Sequence, residues 1–233
     1  MALRQRNADA MTRLDARANA RQGRALLESL RVATTTATFE PSTTIFAQGD
    51  RCAGVMYIEK GCVRLSVISP QGRAAVLSVL HAGALFGEGV LAGQRHRRST
   101  ADAVTACTII CIKTAEMRRR LRSEVALADW LRSQMLARNA RIEADIAHRL
   151  FNGSEKRLAR ALLLLAGFDE HQEPRHVLPI ISRSLLAEMS GTTHATVDRL
   201  MSSFRKRGFL ERQTLRSGGL QIHRSMMNVV LQD

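Results

Sequence analysis

Hydrophobic and polar positions along the 233 residues fall into successive regimes of different period. From 1 to 30, Arg and Asp are spaced among Ala and Leu, with no Gly or Pro before Gly23, which predicts a helix. Residues 1–24 of it read as a basic N-terminal extension. From Thr34 to about Ile112 the apolar residues come in short β-branched or alternating runs: TTIF, GVMYIE, CVRLSVIS, AAVLSVL and ACTIICI. Pro41, Gly49-Asp50, Lys60-Gly61, Pro70-Gln71-Gly72 and His81-Ala82-Gly83 separate them. This cadence of strands and turns predicts a β-sandwich or barrel over 25–123, without parallel βαβ units.

Helical periodicity returns near Thr114, with Thr114 and Glu116 opening one helix and Glu124 starting a longer one over 124–151. Along it Leu131, Met135, Ile142, Ile146 and Leu150 recur at spacings of four and seven, interrupted by Arg138 and Asp145. A helix of roughly 25 residues spans ~38 Å, more than one small sandwich needs for cover. The pattern predicts that an apolar edge meets the same helix of a second subunit. The alternative is a monomer whose helix packs wholly on its own β-domain. Phe151-Asn152-Gly153-Ser154 then breaks the period and marks a domain boundary, with 152–233 beyond it. A new helix runs from Ser154 through Leu165, and Phe168 to Pro179 reads as a polar connection.

The stretch Ile181 to Met201 predicts a helix, a tight turn and a second helix. Ala187 is small enough for close helix crossing, Gly191 supplies a positive-φ turn residue, and Ala195, Val197 and Leu200 form the buried set of the second helix. Thr192 or Thr193 can cap that helix by accepting from an orphan backbone N–H. His194, Thr196, Asp198 and Arg199 fall on its outward arc, where side chains of a helix-turn-helix reach DNA. Phe204 to Glu211 ends a basic helix at Gly208 and starts a strand at Leu210. Arg216-Ser217-Gly218-Gly219-Leu220 then turns into a second strand, the wing of a winged helix.

Formal net charge is +14, with 35 Lys and Arg against 21 Asp and Glu. Between Ser182 and Arg224 there are eight basic residues against three acids, so the excess is strong where the helical motif lies. Arg dominates, which suits bidentate contact with phosphate and guanine. Arg199, His194, Thr193 and Thr196 are the candidate base readers and helix-start contacts. Arg183, Arg205 and Lys206 flank them as phosphate contacts. A polyanionic partner fits this excess best; the alternative is a generally basic, solvated protein, and because 1–24 is basic too, charge alone does not locate a site.

The four cysteines lack the paired close spacing of a zinc site or a disulfide framework and fit a reducing cytoplasm. Cys107 and Cys111, if CTIIC is a strand, share a face ~13 Å apart, too far for a mutual disulfide. Neither an 18-residue apolar run nor a signal-peptide core is present, so a soluble cytoplasmic protein without a membrane partner is expected. No nucleophile–base pair, metal-ligand spacing or phosphate loop stands out, which argues against an enzyme.

At the end of the β-rich part stands Phe86-Gly-Glu-Gly-Val-Leu-Ala-Gly-Gln-Arg-His-Arg-Arg-Ser-Thr100. A Gly87-Glu88 corner sets a carboxylate beside backbone N–H groups, and Arg97, Arg98 and Ser99 can meet a phosphate. In order, the β-roll, Gly-Glu…Arg-Ser, long helix, Phe-containing hinge and winged helix-turn-helix resemble the Crp/Fnr superfamily of bacterial transcription regulators, over about Leu26 to His223.

The resemblance implies an α+β chain. An N-terminal double-stranded β-helix, jelly-roll-like, binds the effector, a long helix makes a homodimer, and a C-terminal winged helix-turn-helix enters DNA. The implied partners are a second copy, double-stranded DNA carrying a pseudo-palindromic operator, and RNA polymerase. Counting forward from Glu88, the family's phosphate-binding Arg-Ser pair falls on Arg98-Ser99, followed by Thr100 where Ala is usual. Counting back from Thr105-Ala106-Cys107, it falls on Arg97, with Arg98 at the Ser position. Both registers stand. Ile142-Glu143 occupies the place of the Thr-Ser pair that contacts adenine in the cyclic-AMP receptors. A cyclic nucleotide is therefore the effector class implied, without the adenine contacts, and the effector stays unassigned. The cysteine cluster of the oxygen-sensing branch is absent, so no iron–sulfur centre is expected. His194-Ala195 replaces the receptors' Arg-Glu, which implies a different operator. The alternative is a cyclic-nucleotide-responsive module that binds a protein or another polyanion.

Overall fold

The computed structural model describes residues 23–29, 32–72, 74–167, 177–178, 181–212 and 219–231. All but the end of the expected 1–24 helix lies outside them. Two compact units emerge, Met1–Arg141 and Ile142–Asp233. The division falls inside the long helix, whereas the sequence break at Phe151 lies ten residues later.

The first unit opens with a short helix α1 (23–29) and then two four-stranded antiparallel sheets. β1 (Thr34–Phe39), β8 (Cys107–Lys113), β3 (Gly54–Lys60) and β6 (Leu85–Phe86) form one, in that order. β2 (Thr44–Phe46), β7 (Thr100–Ala103), β4 (Cys62–Ile68) and β5 (Ala74–His81) form the other. The neighbours in each sheet are mostly distant in sequence, as in a double-sheet roll. Between the sheets lie Phe46, Ile58, Val63, Leu65, Leu80, Phe86 and Ile109.

The first sheet is apolar on both faces because helices cover its other side. Val55, Tyr57 and Ile112 alternate with the inward set and meet Leu27, Met117, Leu127 and Trp130. Met117 belongs to α2 (Thr114–Ser123), and Leu127 and Trp130 to α3 (Val125–Phe151). Cys107 and Cys111 share a face of β8, as expected, and all four cysteines are free thiols.

α3 runs for 27 residues, ~40 Å at the α-helical rise. Its apolar edge differs from the expected one. Leu131 packs half-buried against the cluster under the first sheet and drops out of the exposed edge. Leu136 joins it: Leu136 is 71% exposed, Ile146 52% and Leu150 72%. Leu136, Glu143 and Leu150 recur every seven residues with Ile146 between them, a coiled-coil stripe with one acid in it.

The second unit is built round α4 (Ser154–Leu165), whose Leu158, Ala159, Leu162 and Leu165 are buried. α5 (Arg183–Ser190) and α6 (His194–Lys206) pack on it, followed by β10 (Leu210–Arg212), β11 (Leu220–Ile222) and α7 (Met227–Leu231). β10 and β11 are the expected wing strands. The segment read as a polar connection contains a strand, β9 (Val177–Leu178), which pairs with β11 and completes a three-stranded sheet. Two residues are too few to show a period, so only the pairing reveals it. No helix among the described residues is long and apolar enough to cross a membrane.

Candidate DNA interface and effector pocket

The turn between α5 and α6 is fixed at both ends. Ser182 Oγ accepts from Leu185 N at 3.1 Å and starts α5, and Gly191 ends it at φ 59°, the left-handed conformation that L side chains avoid. Of the two threonines that could cap α6, Thr193 does so: its hydroxyl accepts from Thr196 N at 3.2 Å and lies 3.0 Å from the Thr196 hydroxyl. Arg157 on α4 closes the turn by donating through Nε to Ser190 O at 2.8 Å. Sequence reasoning missed Arg157, because nothing local distinguishes it from the other arginines.

Val197, Leu200, Met201 and Phe204 bury one face of α6. His194, Asp198, Arg199, Arg205 and Lys206 lie exposed on the other, and Thr196 is half-buried at the start. Ala195, expected in the buried set, is exposed. It sits two residues before Val197, ~200° round the helix, so one face cannot bury both. Arg183, at the start of α5, is paired to Asp198 at 2.9 Å, and Ser184 Oγ lies 3.4 Å from His194 Nε2. One surface thus carries His194 and Arg199, with Arg183 beside them and Arg205 and Lys206 at the far end of α6. Arg207 pairs with Glu155 on α4 and stacks over Phe209, 4.7 Å from its ring centroid. It is structural.

In the first unit the Gly-Glu corner follows β6. Gly87 has φ 73°, and a Cβ there would stand 2.4 Å from Arg97 Nη1, so both conformation and crowding require glycine. The structure separates the two arginines. Arg97 is 6% exposed, donating from Nη1 to Gly87 O at 2.9 Å and from Nη2 to Gly54 O at 2.8 Å, with its Cζ 4.3 Å from the Phe46 ring centroid. Arg98 is exposed, and Ser99 is half-buried at the edge of β7. The register that counts back from Thr105 is thus the one that carries an arginine inward. Glu88 Oε1 accepts from Arg138 Nη1 of α3 at 3.0 Å. Two polar atoms are left buried there without hydrogen-bond partners among the described residues, Glu88 Oε2 and Arg97 Nε. One lacks a donor and the other an acceptor.

Comparison with known proteins agrees with this geometry. A family model described as cyclic nucleotide-binding domain matches residues 36–124, and one described as Crp-like helix-turn-helix domain matches 156–224. The chain is a Crp/Fnr-type regulator. It is 25% identical over 177 residues to the cAMP-activated global transcriptional regulator Vfr of Pseudomonas aeruginosa, covering 74% of this chain and 83% of Vfr. Over 165 residues it is 26% identical to the cAMP-activated global transcriptional regulator CRP of Salmonella typhimurium, covering 70% of this chain and 79% of that one. The solved structure of FixK2 from Bradyrhizobium japonicum shares the fold, with a TM-score of 0.71 at 18% identity, covering 87% of this chain and 98% of FixK2. As a regulator of the Crp/Fnr type the chain is a DNA-binding transcription regulator. The orphaned atoms suit the family's effector class: Glu88 Oε2 can accept from a ligand hydroxyl and Arg97 Nε can donate to an anionic oxygen.

Proposed function

We propose that the regulator acts as a homodimer joined along α3, with α6 of each subunit in the major groove of one half of a pseudo-palindromic operator. The exposed arc of the capped α6 carries this reading. Arg199 and His194 face outward while Val197, Leu200, Met201 and Phe204 hold the helix from behind. In it Arg199 reads a base edge, His194, Thr193 and Thr196 work at the helix start, and Arg183, Arg205 and Lys206 contact phosphates. Two-fold symmetry places the half-site centres roughly 34 Å apart. The exposed Leu136, Ile146 and Leu150 supply the dimer seam.

The β-roll answers, in this reading, to a phosphate-bearing effector at Gly87, Glu88 and Arg97, with Ser99 at its edge and Arg98 outside. Vfr and the Salmonella protein are described as cAMP-activated. The buried orphans support the sugar-phosphate part of such a ligand here, and Ile142-Glu143 gives no support to the adenine part. RNA polymerase is the further partner, the cytoplasm the compartment, and no enzymatic step belongs to the reading.

The test is selection of a preferred duplex from random DNA, followed by anisotropy against a scrambled duplex at matched salt. Specific binding exceeds non-specific binding by roughly a thousandfold or more in working regulators. Equal affinity for both duplexes would exclude a sequence reader.

A further inference from the structure

The first unit has a second polar cleft, separate from the Gly-Glu corner. Its walls are the 51–53 segment, the 90–96 turn and the start of α2, and its volume is about 530 Å³. Arg51, Cys52, Gln94, Arg95, His96 and Arg118 line it, whereas Gly87, Glu88, Arg97 and Ser99 do not. The walls are tied together by backbone bonds and by two side-chain donors. Cys52 N donates to Arg95 O at 2.9 Å, Arg51 and His96 form an antiparallel bridge, and Thr114 Oγ1 donates to Ala53 O at 3.2 Å. Arg118 Nη2 donates to Val90 O at 3.0 Å, which holds one guanidinium at the rim.

Among the described residues no carboxylate lines this cleft. Among the described residues the ion pairs leave Arg51, Arg95, His96 and Arg118 without an acidic partner. The acids next to the walls in sequence are committed elsewhere: Asp50 accepts from Ala47 N at 2.8 Å, and Glu116 is held by Arg119 and Arg120. Three guanidinium groups sharing a concavity repel one another, and a bound anion removes that repulsion while matching their planar donors. Buried Val90 gives an apolar patch, and the Gln94 amide can bond a hydroxyl. The volume lies within the ordinary range for small-molecule sites.

We propose that this cleft binds a small di- or polyphosphorylated molecule, independently of the Gly-Glu corner and of DNA. A concave site with rigid walls favours a small ligand over the broad surface of a nucleic acid.

Cys52 reports occupancy from inside the cleft. The full-length protein is alkylated with iodoacetamide, with or without inorganic pyrophosphate at millimolar concentration and physiological salt, and modification of each cysteine is read by peptide mass spectrometry. Pyrophosphate is expected to slow modification of Cys52 saturably and to leave half-buried Cys111 unchanged. The double variant Arg51→Ala/Arg95→Ala should raise the half-protecting concentration about tenfold or more, the change expected when over 1.4 kcal/mol of binding is lost. Arg122→Ala, exposed on α2 one turn beyond Arg118 and not part of the cleft lining, should leave it unaltered. Unaltered melting of the double variant confirms that it is folded. Absence of protection, protection that survives the double substitution, or protection by duplex DNA but not by pyrophosphate would each overturn the proposal. Operator selection is measured separately, so failure of pyrophosphate protection leaves the reading of α6 standing.

Discussion

Arg138 Nη1 lies 3.0 Å from Glu88 Oε1, so the long helix itself holds the carboxylate of the Gly-Glu corner. Both side chains are mostly buried, and Glu88 Oε2 has no hydrogen-bond partner among the described residues. Truncating Arg138 to Ala would leave the whole carboxylate uncompensated. The expected loss is about 1–3 kcal/mol of stability in the first unit, the cost of stranding a charged acceptor. Urea denaturation checks it, with Glu88→Gln in the Arg138→Ala background expected to recover part of the loss. Unchanged stability in the single variant would mean that solvent replaces the guanidinium.

Arg97 and Arg98 are adjacent and should behave oppositely. Arg97→Ala removes two bonds to backbone carbonyls and the stack on Phe46, and should cost about 2–4 kcal/mol. Arg98→Ala, on an exposed side chain, should stay within ~0.5 kcal/mol. Thermal denaturation of the two variants side by side is the measurement, and a large loss from Arg98→Ala would reverse the assignment of the inward arginine.

On the DNA side the contributions separate. Arg199→Ala is expected to cost ~1–3 kcal/mol on the preferred operator and to relax preference at one position in each half-site. Arg205→Ala and Lys206→Ala should weaken all sequences alike and flatten the salt dependence by about one unit each. Arg183→Ala should exceed them, because it also frees the carboxylate of Asp198 on the same surface. Binding curves at several salt concentrations on operator and scrambled duplexes distinguish the two classes. Wild-type base preference in Arg199→Ala would shift the reading to His194 and Thr196.

The seam proposed on α3 predicts oligomeric state. Leu136→Glu combined with Ile146→Glu places acids on an exposed apolar stripe that already carries Glu143, so a folded monomer is expected because unpaired carboxylates are costly to bury between subunits. Leu131→Glu should instead destabilise the first unit, since Leu131 packs under its sheet. Sedimentation and melting together check both. A dimer that survives the double substitution would move the interface elsewhere.

His148 gives a pH dependence. Burial first, and then the positive charge of Arg160, hold its imidazole below the ordinary value of 6.5. The folded state therefore favours the neutral ring. Its contribution is complete above 6.5 and is lost as pH falls from there through the lowered folded value. Denaturation of wild type and His148→Gln from neutral pH down to about pH 5 should show their difference shifting against the wild type as acid is added. A constant difference would remove His148 as the titrating group.

Much of this protein is written locally. The strand cadence from Thr34 to Ile112, the α3 period and the Ser182-to-Lys206 motif are legible because burial alternates at a fixed repeat, and because Gly191 and Thr193 meet backbone demands that few other residues satisfy. The outward position of Arg199 follows from the same repeat. The sequence alone could not choose between Arg97 and Arg98, since both registers fit the spacing. The carbonyls of Gly54 and Gly87, the first over forty residues away in the chain, made that choice. Leu131 and Leu136 are equally apolar, and only the cluster under the first sheet decides which one is covered. The same holds for Arg157 at the helix turn, Arg138 on Glu88 and the two-residue strand β9. Each acquires its role from a partner that folding brings close, and a residue's own neighbours in the chain carry no record of that partner.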